Sequence, residues 1–179
     1  VLWIDPYPTR LPTLADLQRR PPTAPTLTTP QPDGLRVIRP HALPIEPLPG
    51  SGWVNRWHWR DVNAAIDEFR RRGSTLLAIG KPSELALQVL ARAPEMPSLY
   101  DAMDDFPHFY TGLSRRAMAR RERRLASQVS ALLVSSSELQ TRLSASRPDV
   151  RLVPNACAPE SLPAVGDLPE RAAMAGGVL

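Results

Sequence analysis

Residues 98–110 read SLYDAMDDFPHFY, and the order of residue types in this stretch predicts the fold. An apolar run over residues 96–100 predicts a buried strand, and three aspartates follow it closely. Residues 111–128 then carry the Arg-rich pattern of a long helix. A strand, an acidic and aromatic loop and then a helix is the order in which an open α/β sheet builds a site at the carboxyl end of a strand.

Apolar runs and helical patterns alternate along the rest of the chain. The runs are continuously apolar, which is typical of parallel strands covered on both faces, so we expect an α/β fold with a Rossmann-like parallel sheet flanked by helices. The predicted strands are residues 1–4, 35–38, 75–79, 96–100, 131–134 and 150–153. The predicted helices are residues 14–19, 53–72, 83–93 and 111–128, and a last one that runs to about residue 145 after an S-x-x-E capping box at residues 135–138.

Length and composition narrow the class of protein. A length of 179 residues suits one domain, or one domain with a tail. Cys157 is the only cysteine, so an internal disulfide is excluded, and no Cys/His spacing indicates zinc; both observations favour a reducing, cytoplasmic compartment. No apolar run approaches the roughly 20 residues of a membrane span. The net charge of +4 is carried by clustered arginines, which indicates either an anionic partner or a solvated helix face.

Three segments in register resemble a known family. They are VLWIDPYPTRLP at residues 1–12, LYDAMDDFPHFY at residues 99–110 with the Arg-rich helix that follows, and ALLVSSSEL with VRLVPNAC between residues 131 and 157. In this order they resemble the N-terminal domain of bacterial GT-B glycosyltransferases of the glycosyltransferase 4/1 type. Those enzymes build the sugars of cell-surface polysaccharides. The glycine-rich first strand and helix of the family are absent, and Ala156 stands where the family has glycine.

The resemblance implies that the chain is one of two domains of a longer protein, each with its own binding role. Residues 1–157 would form the Rossmann-like acceptor-side domain, and residues 158–179 would link it to an absent C-terminal domain that binds the nucleotide-sugar donor. This half by itself is expected to bind no cofactor and to be inactive. The implied partners are a glycan or lipid-linked acceptor, the nucleotide-sugar through the other domain, and the anionic inner face of the plasma membrane.

The aspartates and the histidine of the central stretch are the candidate catalytic residues. Glycosyl transfer needs a base that takes the proton of the attacking hydroxyl, and carboxylates or histidine suit that role. Asp104 is the favoured base, with Asp105, Asp101 and His108 as further candidates. Alternatively, the three aspartates only cap and solvate a loop. A metal held by paired aspartates is not expected, because GT-B enzymes generally do not use one.

Residues after the other strands complete the predicted cleft. Lys81 precedes the start of a helix, where anions are favoured, and the serines after the fifth strand are equally well explained as helix caps. The candidate acceptor-binding residues are Asp5, Tyr7, Lys81 and Tyr110. The candidates on the donor side are Ser135, Ser136 and Asn155.

One face of the Arg-rich helix is a candidate membrane surface. Basic residues near an anionic leaflet each contribute about 1 kcal/mol of binding, and Trp53, Trp57 and Trp59 cannot all lie on one buried stripe. The residues of this arginine face are Arg116, Arg120, Arg123 and Arg124. No nucleic-acid recognition motif accompanies them, so nucleic acid is not expected as a partner. The alternative functions are a non-catalytic module that binds a partner or a membrane and, less favoured, a sugar-nucleotide epimerase of GT-B architecture.

Overall fold

The computed structural model of the chain describes residues 1–9, 11 and 32–155. Within these ranges, strands and helices alternate, with a 3-10 helix at Phe106–Phe109. The strands are β1 Leu2–Ile4, β2 Arg36–Ile38, β3 Leu77–Ile79, β4 Ser98–Ala102, β5 Ala131–Val134 and β6 Arg151–Leu152. The helices are α1 Ser51–Asn55, α2 Arg60–Arg70, α3 Glu84–Arg92, α4 Gly112–Gln128 and α5 Ser137–Ser144.

Four of the strands form a parallel sheet in the order β3-β4-β5-β6. Tyr100 of β4 pairs with Ile79 of β3 on one side and with Leu132 of β5 on the other. Each strand is joined to the next by a helix, since parallel strands need a crossover connection. The predicted α/β, Rossmann-like parallel sheet flanked by helices is therefore confirmed.

The first two strands do not hydrogen-bond to this sheet. β1 and β2 pair with each other in a separate two-stranded parallel sheet, with Trp3 opposite Val37. Asp5 N extends the ladder by donating to Ile38 O at 2.9 Å. Leu77 of β3 packs against the buried clusters on both sides, so side-chain packing rather than a shared ladder connects the two sheets.

The main core lies between the four-stranded sheet and its helices. Tyr100, Leu132 and Val134 of the strands are fully or almost fully buried. Helix α4 contributes Leu125 and Ala126 from the stripe that also contains Met118, Glu122 and Val129. These positions recur at helical spacing, and burial of one large apolar side chain stabilises the fold by about 1.5–3 kcal/mol.

The single helix predicted over residues 53–72 is wrong, because the structure has two helices separated by a turn at residues 56–59. The buried stripe is Asn55, Trp59, Val62 and Ile66, whereas Trp57 is exposed. The turn places the Trp59 ring in a second core cluster, 5.6 Å from the ring of Tyr7. Trp53 and Trp57 stay in solvent with exposed fractions of 71% and 66%.

The predicted capping box is also wrong in detail. Ser136, rather than Ser135, is the N-cap of α5, and its hydroxyl accepts a hydrogen bond from Leu139 N at 3.3 Å. Glu138 therefore sits one position too early to close the box. The predicted helix at 14–19 and the linker at 158–179 lie outside the described residues.

Candidate functional site

The N-terminus of α3 is filled by groups of the chain itself. Glu84 N donates to a carboxylate oxygen of Glu46, Leu85 N donates to the Tyr7 hydroxyl at 3.2 Å, and Ala86 N donates to Ser83 Oγ at 3.1 Å. These are the first free N–H groups of the helix, the groups that would otherwise hold a bound anion. The N–H groups at this helix end are thus occupied by Glu46, Tyr7 and Ser83, and the contact of Lys81 with an acceptor stays a prediction.

Tyr7 and Lys81 lie together, where the loops after β1 and β3 meet. Lys81 Nζ donates to Tyr7 O at 3.2 Å and ties the loop after β1 to the loop after β3. The Tyr7 side chain is buried in the second core cluster, where it caps α3. Burial, and then the charge of Glu46, raises the pKa of the Tyr7 hydroxyl far above its usual value. Tyr7 is thus a structural residue, and the prediction that it binds an acceptor does not fit its position.

The other two predicted acceptor-binding residues are Asp5, which follows β1, and Tyr110, which follows the 3-10 helix. Asp5 accepts a hydrogen bond from Trp3 Nε1 at 2.7 Å and pairs with Arg39 at 3.0 Å. The hydroxyl of Tyr110 lies 3.0 Å from the hydroxyl of buried Thr9, which joins the loop after β1 to the start of α4. Tyr110 remains half-buried at this edge, and its contact with an acceptor stays a prediction.

The aspartates of the central stretch take three different positions. Asp101 lies inside β4 and not beyond its end, opposite Leu133 of β5. Asp104 is exposed in the loop that follows. Asp105 precedes the 3-10 helix but forms no side-chain cap there. In the 3-10 helix that follows, Phe106 is buried and Phe109 is 65% exposed.

Asp105 and His108 form an oriented pair at the carboxyl edge of the sheet. Asp105 Oδ2 lies 2.6 Å from His108 Nδ1, one 3-10 turn away. On the other side of the ring, Arg115 Nη2 lies 3.1 Å from His108 Nε2. A guanidinium can only donate, so Nε2 is the acceptor and Nδ1–H donates to the carboxylate. This tautomer leaves a basic lone pair on Nε2 of an exposed ring.

Three further groups connect this pair to the core. Arg142 Nη2 lies 3.5 Å from Asp105 Oδ1, and Arg142 binds Glu122 through both Nη atoms at 2.5 and 3.3 Å. Buried Glu122 in turn accepts a hydrogen bond from the Tyr100 hydroxyl at 3.0 Å. We call these five residues, Tyr100, Glu122, Arg142, Asp105 and His108, the edge cluster.

The charges of the edge cluster support one another. Partial burial acts against the charge of Arg142, but its hydrogen bonds to Glu122 and the charges of Glu122 and Asp105 hold its pKa above the ordinary value. Burial, and then Glu122, raises the pKa of the Tyr100 hydroxyl well above its usual range. Tyr100 therefore stays protonated as a donor, and Arg142 stays charged beside Asp105.

The serines and the asparagine predicted on the donor side lie at the same edge. Ser135 Oγ donates to Met103 O at 2.6 Å and links the loops after β5 and β4. Ser136 is engaged as the cap of α5. Asn155 is exposed beyond β6. The parallel sheet thus brings these three residues to the edge that carries His108, and their contact with a donor stays a prediction.

The four residues of the arginine face are exposed along α4, as their spacing predicts. The same helix contains one buried arginine that is not among the predicted site residues. Arg121 is buried, and its Nε lies 3.2 Å from Glu46 Oε1 and 3.3 Å from Glu84 Oε1. Its Nη2 donates to Glu46 O at 2.9 Å. We call Glu46, Arg121, Glu84 and Tyr7 the cap cluster.

The burial of Arg121 could have been predicted from helical spacing. It lies three residues after Met118 and four before Leu125, both fully buried, so the apolar stripe of α4 passes through it. For Glu46 the sequence offered no comparable signal, since Glu46 lies in a proline-rich segment without periodicity. Its burial follows from the cap that it provides to α3.

The described ranges also bear on metal binding and on membrane insertion. There, no group of three or more His, Cys, Asp or Glu side chains is arranged to hold a metal ion. None of the helices described has both the length and the apolar character needed to cross a membrane.

Comparison of the chain with protein families, with curated proteins and with solved structures found no match. The functional argument therefore rests on the geometry of the chain's own residues and on the resemblance of its three sequence segments.

Proposed function

We propose that this chain is the acceptor-side half of a GT-B glycosyltransferase, in which His108, oriented by Asp105, takes the proton of the acceptor hydroxyl. The observation that carries the proposal is the 2.6 Å contact between Asp105 Oδ2 and His108 Nδ1 at the carboxyl edge of a parallel sheet. Ligands of open α/β sheets bind at that edge. The resemblance of the three sequence segments to this family supplies the reaction class.

The geometry favours His108 over Asp104 as the base. An imidazole held by a carboxylate through Nδ1 presents Nε2 to substrate and is stabilised when it becomes an imidazolium. Asp104 lies on the same loop, and its side chain is exposed. Arg115, which now donates to Nε2, must turn away before a hydroxyl can approach; its exposed position on α4 permits this.

The proposed transfer forms one bond and breaks another. The acceptor oxygen forms a bond to the anomeric carbon of the donor sugar, and the bond from that carbon to the nucleoside diphosphate breaks. The acceptor proton moves to His108 Nε2, and the electron pair of the broken bond leaves with the diphosphate. Arginines and helix N-termini are the groups that neutralise such a leaving group when no metal takes part.

The proposal is tested with the complete gene product and labelled UDP-glucose, UDP-galactose and GDP-mannose, with lipid and glycan extracts as acceptors. His108→Gln is expected to lower kcat by roughly 10²–10⁴, the contribution typical of a general base. Asp105→Asn is expected to lower it as well, because the ring loses its orientation. Asp104→Asn is the matched control on the same loop. Transfer that survives His108→Gln but is lost with Asp104→Asn would reverse the assignment, and no transfer from any donor would overturn the proposed reaction.

The arginine face supports a second candidate function, which is binding to the anionic inner leaflet of the plasma membrane. Four exposed arginines lie on one helix face, and exposed Trp53 lines the same pocket as Arg120 and Arg124. Basic and aromatic residues of this kind favour the membrane interface. Co-sedimentation with phosphatidylglycerol vesicles is expected to weaken with salt. It is also expected to fall when Arg116, Arg120 and Arg124 become Ser, and to persist when Arg71, Arg72 and Arg151 do. Equal loss in both triple variants would mean that net charge alone causes the binding.

A further inference from the structure

A pocket of about 410 Å³ lies on the flank of the fold, between α1, α3, α4 and the segment that leads into α1. This volume falls in the range of roughly 300–1,000 Å³ that ligand sites occupy. Apolar side chains of this segment, among them Leu48, form part of the wall. The polar and aromatic residues that line it include Glu46, Trp53, Glu84, Arg120, Arg121 and Arg124. The pocket is formed by helix flanks, whereas His108 lies at the sheet edge.

Two of the lining residues are buried charges with unused hydrogen-bonding capacity. Arg121 and Glu46 are only 4% and 2% exposed. Among the described residues, Arg121 Nη1 and Glu46 Oε2 have no hydrogen-bond partner. Buried polar atoms are normally paired, and an unpaired one costs about 1–3 kcal/mol. A donor and an acceptor in adjacent side chains match a hydroxyl, which both accepts and donates.

The mouth of the pocket has a different character from its floor. Arg120 and Arg124 lie one helical turn apart on α4, and both are exposed. Trp53, 71% exposed, offers an apolar ring face at the same opening. The floor carries the carboxylates of Glu46 and Glu84, which would repel an anionic group. An anion is therefore favoured at the mouth, and an uncharged hydroxylated group is favoured at the floor.

We propose that this pocket binds the phosphate ester of a polyol or sugar, with the phosphate held by Arg120 and Arg124 at the mouth and the hydroxyls turned toward Arg121, Glu46 and Glu84. Arginine forks bind phosphate through paired charge-assisted hydrogen bonds. The Trp53 ring covers one apolar face of the ligand. The inference does not depend on the transfer reaction proposed above, since none of these residues belongs to the edge cluster.

Isothermal titration calorimetry of the chain with glucose 6-phosphate and myo-inositol 1-phosphate tests the proposal. Binding of at least one of them is expected at millimolar concentration or below (about 4 kcal/mol or more). Glucose and inorganic phosphate are expected to bind at least tenfold more weakly, because each lacks half of the contacts. Arg124→Ser is expected to weaken binding by about tenfold to a hundredfold. Arg123→Ser is the matched control, since the exposed Arg123 is its neighbour on α4 and does not line the pocket.

Three results would overturn the proposal. They are no binding of either ester at 10 mM, roughly 2.7 kcal/mol; binding of inorganic phosphate as tight as that of the esters; or equal losses of affinity in Arg123→Ser and Arg124→Ser.

Competition with lipid vesicles shows whether the ligand is a lipid headgroup or a soluble ester. Phosphatidylinositol vesicles that compete with the soluble ester, when phosphatidylserine vesicles do not, identify a lipid headgroup. A lack of competition by either vesicle identifies a soluble sugar phosphate. Loss of transfer activity has no bearing on these outcomes.

Discussion

The cap cluster and the edge cluster each contain a fully buried carboxylate paired with an arginine. They differ in how exposed that arginine is and in which residues it contacts next. In the cap cluster both Glu46 and Arg121 are buried, and the carboxylate is also used to close the N-terminus of α3. In the edge cluster buried Glu122 pairs with an arginine that is 33% exposed, and the contacts continue outward to His108.

The difference separates a buried pair that closes the end of a helix from a buried pair whose contacts continue to an exposed side chain. In the first case the pairing lowers the cost of burying each partner. In the edge cluster the contacts hold the Asp105 carboxylate in place beside the exposed ring of His108. If His108 is the base, as proposed above, Glu122 and Arg142 act on it through Asp105, as positioning residues.

The largest effect is expected from Arg121→Met, which leaves Glu46 buried beside an apolar side chain. Breaking a buried pair by removing one partner costs roughly 3–5 kcal/mol of the free energy of unfolding. Urea unfolding followed by circular dichroism measures it. Arg116→Met, at an exposed position of the same helix, is expected to change stability by less than about 0.5 kcal/mol. If both variants lost the same stability, the cap cluster would have no special role.

A smaller loss is expected from Glu122→Gln. The amide keeps an oxygen for the Tyr100 hydroxyl but removes the negative charge that pairs with Arg142. Because Arg142 can turn toward water, we expect a loss of about 1–3 kcal/mol, less than for Arg121→Met. The matched control is Glu95→Gln, whose side chain is 65% exposed. A loss for Glu122→Gln larger than that for Arg121→Met would reverse the ranking of the two clusters.

The smallest effect is a pH dependence of stability that arises from Glu46 of the cap cluster. Burial raises the pKa of the Glu46 carboxyl above its ordinary value, although Arg121 and Glu84 N–H act in the opposite direction. The folded state therefore holds this proton more tightly than the unfolded state does. The stability that Glu46 contributes is present below the ordinary pKa of glutamate, near 4.5, and is lost as the pH rises through the raised value.

Urea unfolding from pH 4 to pH 8, with Glu46→Gln as the reference, measures this dependence. The difference in unfolding free energy, wild type minus variant, is expected to fall as the pH rises. A difference that rises with pH would show that the charged form of Glu46 is the favoured one in the fold, and that Arg121 outweighs the burial of the carboxylate.

Local patterns in the sequence predicted the fold well because they depend on neighbours along the chain. The run at 131–134 matches β5 residue for residue, and helix α4 begins and ends within one residue of its prediction. The helix at 53–72 was predicted as one segment, whereas the structure interrupts it at residues 56–59 and buries Trp59 rather than Trp57. Both alternatives have helical spacing, and only the contact with Tyr7, 52 residues away in the sequence (59 − 7), separates them.

The candidate site was predicted less completely, because several of its contacts join residues that are distant in the sequence. Asp105 and His108 lie in one quoted stretch, so their proximity was accessible from the sequence. The contribution of Arg142 depends on how α5 packs beside α4, which no local pattern records. Tyr7 was assigned to a ligand because it follows a strand, although its hydroxyl is needed by the backbone of α3.

The pairing of the described strands is parallel throughout, and this has a consequence for the rate of folding. Every described ladder pairs residues that lie 18 or more positions apart in the sequence, as with Leu133 and Arg151 or Leu99 and Ala131. None of the described strands forms a hairpin that could nucleate a sheet locally, and chains whose contacts are distant in sequence fold slowly. We therefore expect α4, with 17 residues, to gain helical structure early and the sheets to assemble late. During synthesis, β4 cannot complete its pairing until β5 has left the ribosome.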